Sequence, residues 1–179
     1  TGGSAVAQFH EWMCGAGLLC IKKRVPEVGT IFTTHATILG RSLSGAGVDI
    51  YAKMEQISPQ KEAAAQNIMA KYSMEAASAR EADCFTTVSQ ITDVEAKNFL
   101  GRNSDVILTN GLDMENVPNY SVNRKVPMKH RERLIEFASG FLRKKMDAGA
   151  RLMLISGRYE FHNKGIDVFL QALGRLDKD

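Results

Sequence analysis

Apolar and polar positions along this chain follow two periods. Short apolar blocks recur at Ala5-Val6-Ala7-Gln8-Phe9, Thr30-Ile31-Phe32-Thr33-Thr34, Cys84-Phe85-Thr86-Thr87-Val88, Asp105–Leu108 and Leu152-Met153-Leu154-Ile155-Ser156. Blocks of this length and content read as buried parallel strands. Helical patterns stand between them. Met13–Ile21 is small and apolar and closes on Lys22-Lys23-Arg24. Ser58-Pro59 is a helix start, Ser as N-cap and Pro in the first turn, and the Ala-rich stretch from Gln60 to Ala82 carries the helix on. Thr92 with Glu95 reads as a capping box, and Gly101 as the stop of that helix. Leu134, Phe137, Ala138, Phe141 and Leu142 make an amphipathic helix with a solvated basic face, and Ile166, Phe169, Leu170 and Leu173 line one side of the last helix. Gly40-Arg41, Gly45 and Gly47 mark a loop. Strands alternating with helices predict an α/β fold with a parallel sheet.

The polar stretch Leu112–Lys129, with Pro118 and Pro127, is linker chemistry and divides the pattern. Before it, predicted strands end at His10, His35 and Ser89; after it, one leads into the turn Gly157-Arg158-Tyr159-Glu160-Phe161-His162-Asn163-Lys164-Gly165. Open α/β sheets bind ligands at the carboxyl ends of their strands. Arg158 and Lys164, beside a helix start, suit an anion and above all a phosphate. On spacing alone, solvated loop charges explain the two cations equally well. If the two groups of strands form facing sheets, His35 and Arg158 line one cleft from opposite sides.

Composition narrows the function classes. The 179 residues are 44% hydrophobic and 24% charged, ordinary for a soluble protein. A net charge of +3, with no basic run interleaved with aromatics, gives no case for nucleic-acid binding. No apolar run reaches the roughly 18 residues of a membrane span. Cys14, Cys20 and Cys84 have no metal or disulfide spacing and read as reduced thiols of a cytoplasmic protein. Gly15-Ala16-Gly17 and Gly45-Ala46-Gly47 lack the third glycine of a dinucleotide fingerprint, and there is no P-loop. Ser89 lacks the flanking glycines of a nucleophile elbow and reads as capping or turn chemistry.

Five motifs then occur in order: Phe9-His10-Glu11-Trp12; Phe32-Thr33-Thr34-His35-Ala36-Thr37 with Gly40-Arg41; Phe85-Thr86-Thr87-Val88-Ser89-Gln90-Ile91-Thr92; Asn110-Gly111-Leu112; and Gly157-Arg158-Tyr159-Glu160 with Asn163-Lys164-Gly165. Together they resemble the glycogen synthases of glycosyltransferase family 3, the animal and fungal type that also has bacterial members. The resemblance implies a GT-B architecture of two Rossmann-like domains, of which this chain holds the end of the first (1–111), a crossover (112–129) and the start of the second (130–179). It implies transfer of glucose from UDP-glucose to the non-reducing end of glycogen, with retention and without a metal or other cofactor. By the same matching, Arg158 and Lys164 grip the nucleotide diphosphate, His35 is the active-site histidine at the sugar, and Arg41 is a second cleft arginine. His10 and Glu11 fall at a strand end that is architectural or acceptor-side.

The departures from the family pattern set expectations as well. The N-terminal glycine-rich loop with its lysine, the later pair of glutamates seven residues apart and the regulatory arginine cluster are not in this sequence. The opening Thr1-Gly2-Gly3-Ser4 runs straight into a core strand, as in an excised segment, so the chain is expected to be inactive alone and prone to form homo-oligomers through uncovered edges. Phe161 and His162 stand where animal and fungal members carry tyrosine and lysine. That fits a divergent bacterial member and leaves UDP- against ADP-glucose open. Two rivals remain: another retaining GT-B transferase of the sucrose or trehalose-phosphate synthase type, and a non-catalytic glycan-binding module.

Overall fold

A computed structural model describes residues 4–117 and 125–176. Contacts group Thr1–Asn110 with Gly157–Asp179 in one unit and Gly111–Ser156 in another. The first unit is built on a four-stranded parallel sheet in the order β1 (Val6–His10), β2 (Gly29–Thr34), β3 (Cys84–Thr87), β4 (Val106–Ile107). Helices α1 (Glu11–Arg24), α5 (Met69–Glu81) and α6 (Gln90–Leu100) belong to the crossovers between them, the connection that parallel neighbours require. The expected α/β fold with a parallel sheet is thus the observed one.

Register sorts the side chains onto two faces. Phe9, Phe32 and Phe85 are matched across β1, β2 and β3, and the Phe32 and Phe85 rings stack with centroids 6.0 Å apart. Phe32 and Phe85 make the buried core with Leu18, Leu39, Leu43, Ala79 and Phe99, and the half-buried Phe9 packs against it. The neighbouring positions in register, His10, Thr33 and Thr86, fall on the opposite face. There Thr33 and Thr86 pair their hydroxyls at 2.8 Å, and Gln8 Nε2 donates to Thr33 Oγ1 at 2.9 Å. Two glycines let α1 come close to its neighbours. A Cβ at Gly17 would lie 3.1 Å from the Phe9 ring, and one at Gly15 would lie 2.3 Å from Ser78 Oγ of α5.

Several elements differ from the sequence reading. The glycine-rich stretch read as a loop forms α2 (Ile38–Gly45), followed by α3 (Ile50–Lys53). Thr37 caps α2 by accepting from Gly40 N at 3.1 Å, and Leu39 and Leu43, one turn apart, anchor it in the core. The single helix expected over 60–82 is two, α4 (Pro59–Ala65) and α5, broken where Asn67 takes a left-handed φ of 56°. Asn tolerates that conformation better than most residues. Pro59 opens α4 as expected, but Ser58 makes no side-chain cap bond. The capping box at Thr92 and Glu95 is replaced by Ser89, whose Oγ accepts from Thr92 N at 3.2 Å, so α6 starts a turn earlier. Gly101 ends it in the left-handed conformation.

In the second unit, α7 (Lys125–Phe141) begins inside the stretch read as linker. Pro127 is no obstacle in a first turn, where its missing N–H has no helical partner to lose. Part of that linker, 118–124, lies outside the described residues. Ser139 holds the end of the helix to the chain beyond by accepting from Met146 N at 3.1 Å. The strand expected over Leu152–Ser156 does not form. A parallel strand exists only by bonding to a neighbour, and apolar content alone supplies none. The segment 130–179, expected to open a second domain, is divided between the two units, and α8 (Ile166–Leu176) belongs to the first.

Candidate functional site

Two adjacent parallel strands deliver two histidines. His10 closes β1 and His35 follows β2, and their rings meet with His10 Nδ1 3.0 Å from His35 Nε2 and centroids 5.3 Å apart. Glu11, next in line, adopts φ 64°, a left-handed conformation rare for a residue with a Cβ. Strain of that kind persists only where the surroundings hold it. Here the Glu11 carboxylate accepts from His35 N at 2.9 Å, so the sharp turn from β1 into α1 also fixes the chain leaving β2. Trp12, next again, has Lys71 Nζ 5.4 Å from its ring centroid, a cation–π contact.

The anion loop is held by its own turns rather than by a preceding strand. Lys164 N donates to Glu160 O at 2.9 Å, Ile166 N to Phe161 O at 3.0 Å, and Gly165 turns into α8 with φ 65°. Glu160 joins two arginines: its Oε1 lies 3.0 Å from Arg158 Nη2 and 3.9 Å from Arg41 Nη1. Asn163 Nδ2 donates to the Arg41 carbonyl at 3.3 Å. At the loop's far end His162 Nδ1 pairs with Asp167 Oδ2 at 2.8 Å, a bond that lowers the Asp167 carboxyl.

These residues surround two hollows. One, of about 220 Å³, is lined by Arg41, Tyr51, Glu95, Arg158, Glu160 and Lys164, among others. The other, of about 740 Å³, is bounded by His10, Glu11, Trp12, His35, Arg41 and Arg158, with further residues beside them. Arg41 and Arg158 border both. Every residue singled out in the sequence, His10, Glu11, His35, Arg41, Arg158 and Lys164, therefore lines one of two hollows with a shared wall. His35, at the end of β2, and Arg158, in the loop before α8, both border the larger hollow, and both belong to the first unit. A concave, polar-lined space of this size suits a small-molecule ligand. Its cations suit an anion and its aromatic edge suits a sugar. Among the described residues no cluster of three or more His, Cys, Asp or Glu is arranged to hold a metal ion, and no helix is long and apolar enough to cross a membrane.

Beneath the hollows lie carboxyl groups that sequence reading passed over. Glu95 is buried; its Oε2 accepts from Thr37 Oγ1 and its Oε1 from Tyr51 OH, both at 2.7 Å. Glu75 is wholly buried, and its Oε2 accepts from Ile38 N at 2.8 Å. Burial pushes the Glu75 carboxyl up to about 8, opposed by the Ile38 N–H and the Thr34 hydroxyl and reinforced by the charges of Glu11 and Glu95. Burial thus favours the protonated form of Glu75. Glu75 did not stand out in the sequence, because a lone Glu on an Ala-rich helix is usually solvated, and Glu95 was read there only as half of a capping box.

The family model for glycogen synthase matches residues 2–179. The chain belongs to the glycogen synthase family. Over 179 residues it is 40% identical to the liver glycogen [starch] synthase of Rattus norvegicus, covering 98% of this chain and 25% of that one. It is 37% identical over 177 residues to the glycogen [starch] synthase of Neurospora crassa, with 97% and 25% covered. The counterpart from Caenorhabditis elegans is 37% identical over 175 residues, with 96% and 26% covered. The chain thus spans about a quarter of the length of the relatives it matches.

Proposed function

We propose that the full-length polypeptide carrying this chain transfers glucose from UDP-glucose to the non-reducing 4-hydroxyl of glycogen, with retention, and so lengthens α-1,4 chains. The observation that carries the reading is the convergence of Arg41, Arg158 and Lys164 on a hollow that adjoins the His10–His35 pair. In this reaction the bond between the anomeric carbon and the diphosphate breaks, and its electron pair leaves with UDP. Negative charge grows on the departing oxygens, so cations fixed around them favour the transition state over the ground state. Arg158 and Lys164 take that role, and Glu160 holds Arg158 in place for it. Arg41 stands between the nucleotide end and the sugar end. His35 faces the sugar, while His10 and Glu11 position it.

The reading assigns no metal or other cofactor, a nucleotide-sugar donor and a glycogen acceptor. It places the enzyme in the cytoplasm, without nucleic-acid or membrane partners, as a homo-oligomer. It also assigns 1–111 and 130–179 to two Rossmann-like domains of a GT-B enzyme, and it takes the chain alone to be inactive. The test is glucose incorporation into glycogen by the full-length polypeptide, with UDP-glucose and ADP-glucose compared. Incorporation from UDP-glucose supports the reading, preference for ADP-glucose corrects the donor, and none from either overturns it. Turnover by the 179-residue chain itself would overturn the claim that it is inactive.

A further inference from the structure

Three carboxyl groups from three helices converge on one short segment. Glu11 of α1 accepts from His35 N at 2.9 Å, Glu95 of α6 from Thr37 Oγ1 at 2.7 Å, and Glu75 of α5 from Ile38 N at 2.8 Å. The segment they hold links β2 to α2 and carries His35 and Ala36 into the larger hollow. Glu75 is the least expected of the three. It has no exposed surface, and an apolar side chain at such a helical position would pack without the cost of burying an ionisable group. Its contact with Ile38 N–H is what offsets that cost. Two buried oxygens beside this bond, Glu75 Oε1 and Thr34 Oγ1, have no partner but each other. A proton on the carboxyl gives Oε1 a hydrogen to donate, and Thr34 a reason to stand near it.

We infer that Glu75 is a positioning residue, which sets the placement of His35 at the sugar end of the site by fixing the Ile38 end of its segment. It touches no substrate in this assignment and acts through the backbone. The inference rests on the proposed role of His35, and it adds that the precision of that residue is set from the core. A displacement of about 1 Å at a reacting geometry can cost on the order of a hundredfold in rate, so a lost backbone anchor is visible in turnover before it is visible in folding.

The test compares Glu75→Gln with Glu75→Asp in the full-length polypeptide. Gln keeps an acceptor for Ile38 N–H and supplies a donor for Thr34; Asp keeps the carboxyl but is one methylene too short to reach. Two readouts are taken, kcat and KM for the donor, and the ¹⁵N NMR signals of the His10 and His35 rings. The expected result is Gln within about threefold of wild type in kcat with unchanged ring signals. Asp is expected to lose about tenfold or more in kcat with little change in KM, and to shift the ring signals. Asp behaving like wild type in both readouts overturns the inference. So do equal losses in Gln and Asp, because Gln keeps the reach to Ile38 N–H that Asp loses. If wild type transfers no glucose, the proposed function fails by itself, and the ring signals still decide the role of Glu75. Should Asp not fold, Glu75→Met serves in its place with the same two readouts.

Discussion

Gly40→Ala sets two opposite effects against each other. On helix propensity alone the change stabilises, because alanine inside a helix is favoured over glycine by about 1 kcal/mol. Packing opposes it. A Cβ at position 40 would lie 2.4 Å from Glu95 Oε2, 2.6 Å from Thr37 Oγ1 and 3.0 Å from Glu95 Cδ, distances that no settled side chain tolerates. The atoms in the way are not free to move. Glu95 is buried and held by Thr37 and Tyr51, while Thr37 is itself the cap of α2. Overpacking costs roughly 1–3 kcal/mol, and a broken hydrogen bond to a charged group roughly 1.5–3 kcal/mol. Clash and lost bond together exceed the propensity gain, and the expected net loss is about 1.5–5 kcal/mol. Gly174→Ala is the internal control: it lies in α8 with nothing within 4 Å of the added methyl, so only propensity acts and up to about 1 kcal/mol is gained. Urea unfolding of the two variants followed by far-UV circular dichroism measures both. Gly40→Ala as stable as wild type would refute the packing argument, since it would mean that Glu95 and Thr37 move aside without cost.

Two pH dependences follow from the carboxyl groups. Glu75 has a folded pKa of about 8 against an ordinary 4.5. Between those values the folded chain holds a proton that the unfolded chain has released, so stability falls as pH rises through that window, by on the order of a few kcal/mol. Glu75→Gln should flatten the pH 5–8 dependence of the urea midpoint, and an undiminished slope in that variant would contradict the assignment. Asp83 behaves in the reverse sense. The hydrogen bond from Lys22, with those from Thr30 N and Oγ1, holds its carboxyl at about 2 against an ordinary 3.8. Its contribution is present above pH 4 and is lost as pH falls toward 2. In Asp83→Asn the acid limb over that range should lose part of its steepness, as read from thermal melts at pH 2.5 and 4.5.

The sheet was legible in the sequence because its strands are short apolar blocks that end at turn residues, and β1, β2 and β3 stand within a residue or so of those blocks. The block at 152–156 looks the same in sequence and forms no strand, because a strand depends on a neighbour that composition cannot supply. Helix α2 was hidden by Gly40, Ser42, Ser44 and Gly45, residues of turns. Its signal was the Leu39–Leu43 pair at helical spacing, with Thr37 in the cap position. The break at Asn67 left no mark in an Ala-rich run except the Asn itself. His10, His35, Arg41 and Arg158 were recognisable from motifs at strand and turn ends. Glu75 and Glu95 were not, because what singles them out is burial, and whether a helical carboxyl group is buried depends on which helices cover it.

The central claim is that Arg158 grips the donor's diphosphate. The direct measurement is UDP binding by isothermal titration calorimetry to the full-length polypeptide, for wild type and Arg158→Ala, with glucose incorporation from UDP-glucose measured in parallel. A charge-assisted contact to phosphate contributes about 1.5–3 kcal/mol, so the account predicts UDP affinity weakened roughly tenfold to a hundredfold and incorporation reduced by at least as much. Unchanged UDP affinity and unchanged incorporation in a folded Arg158→Ala variant would contradict it.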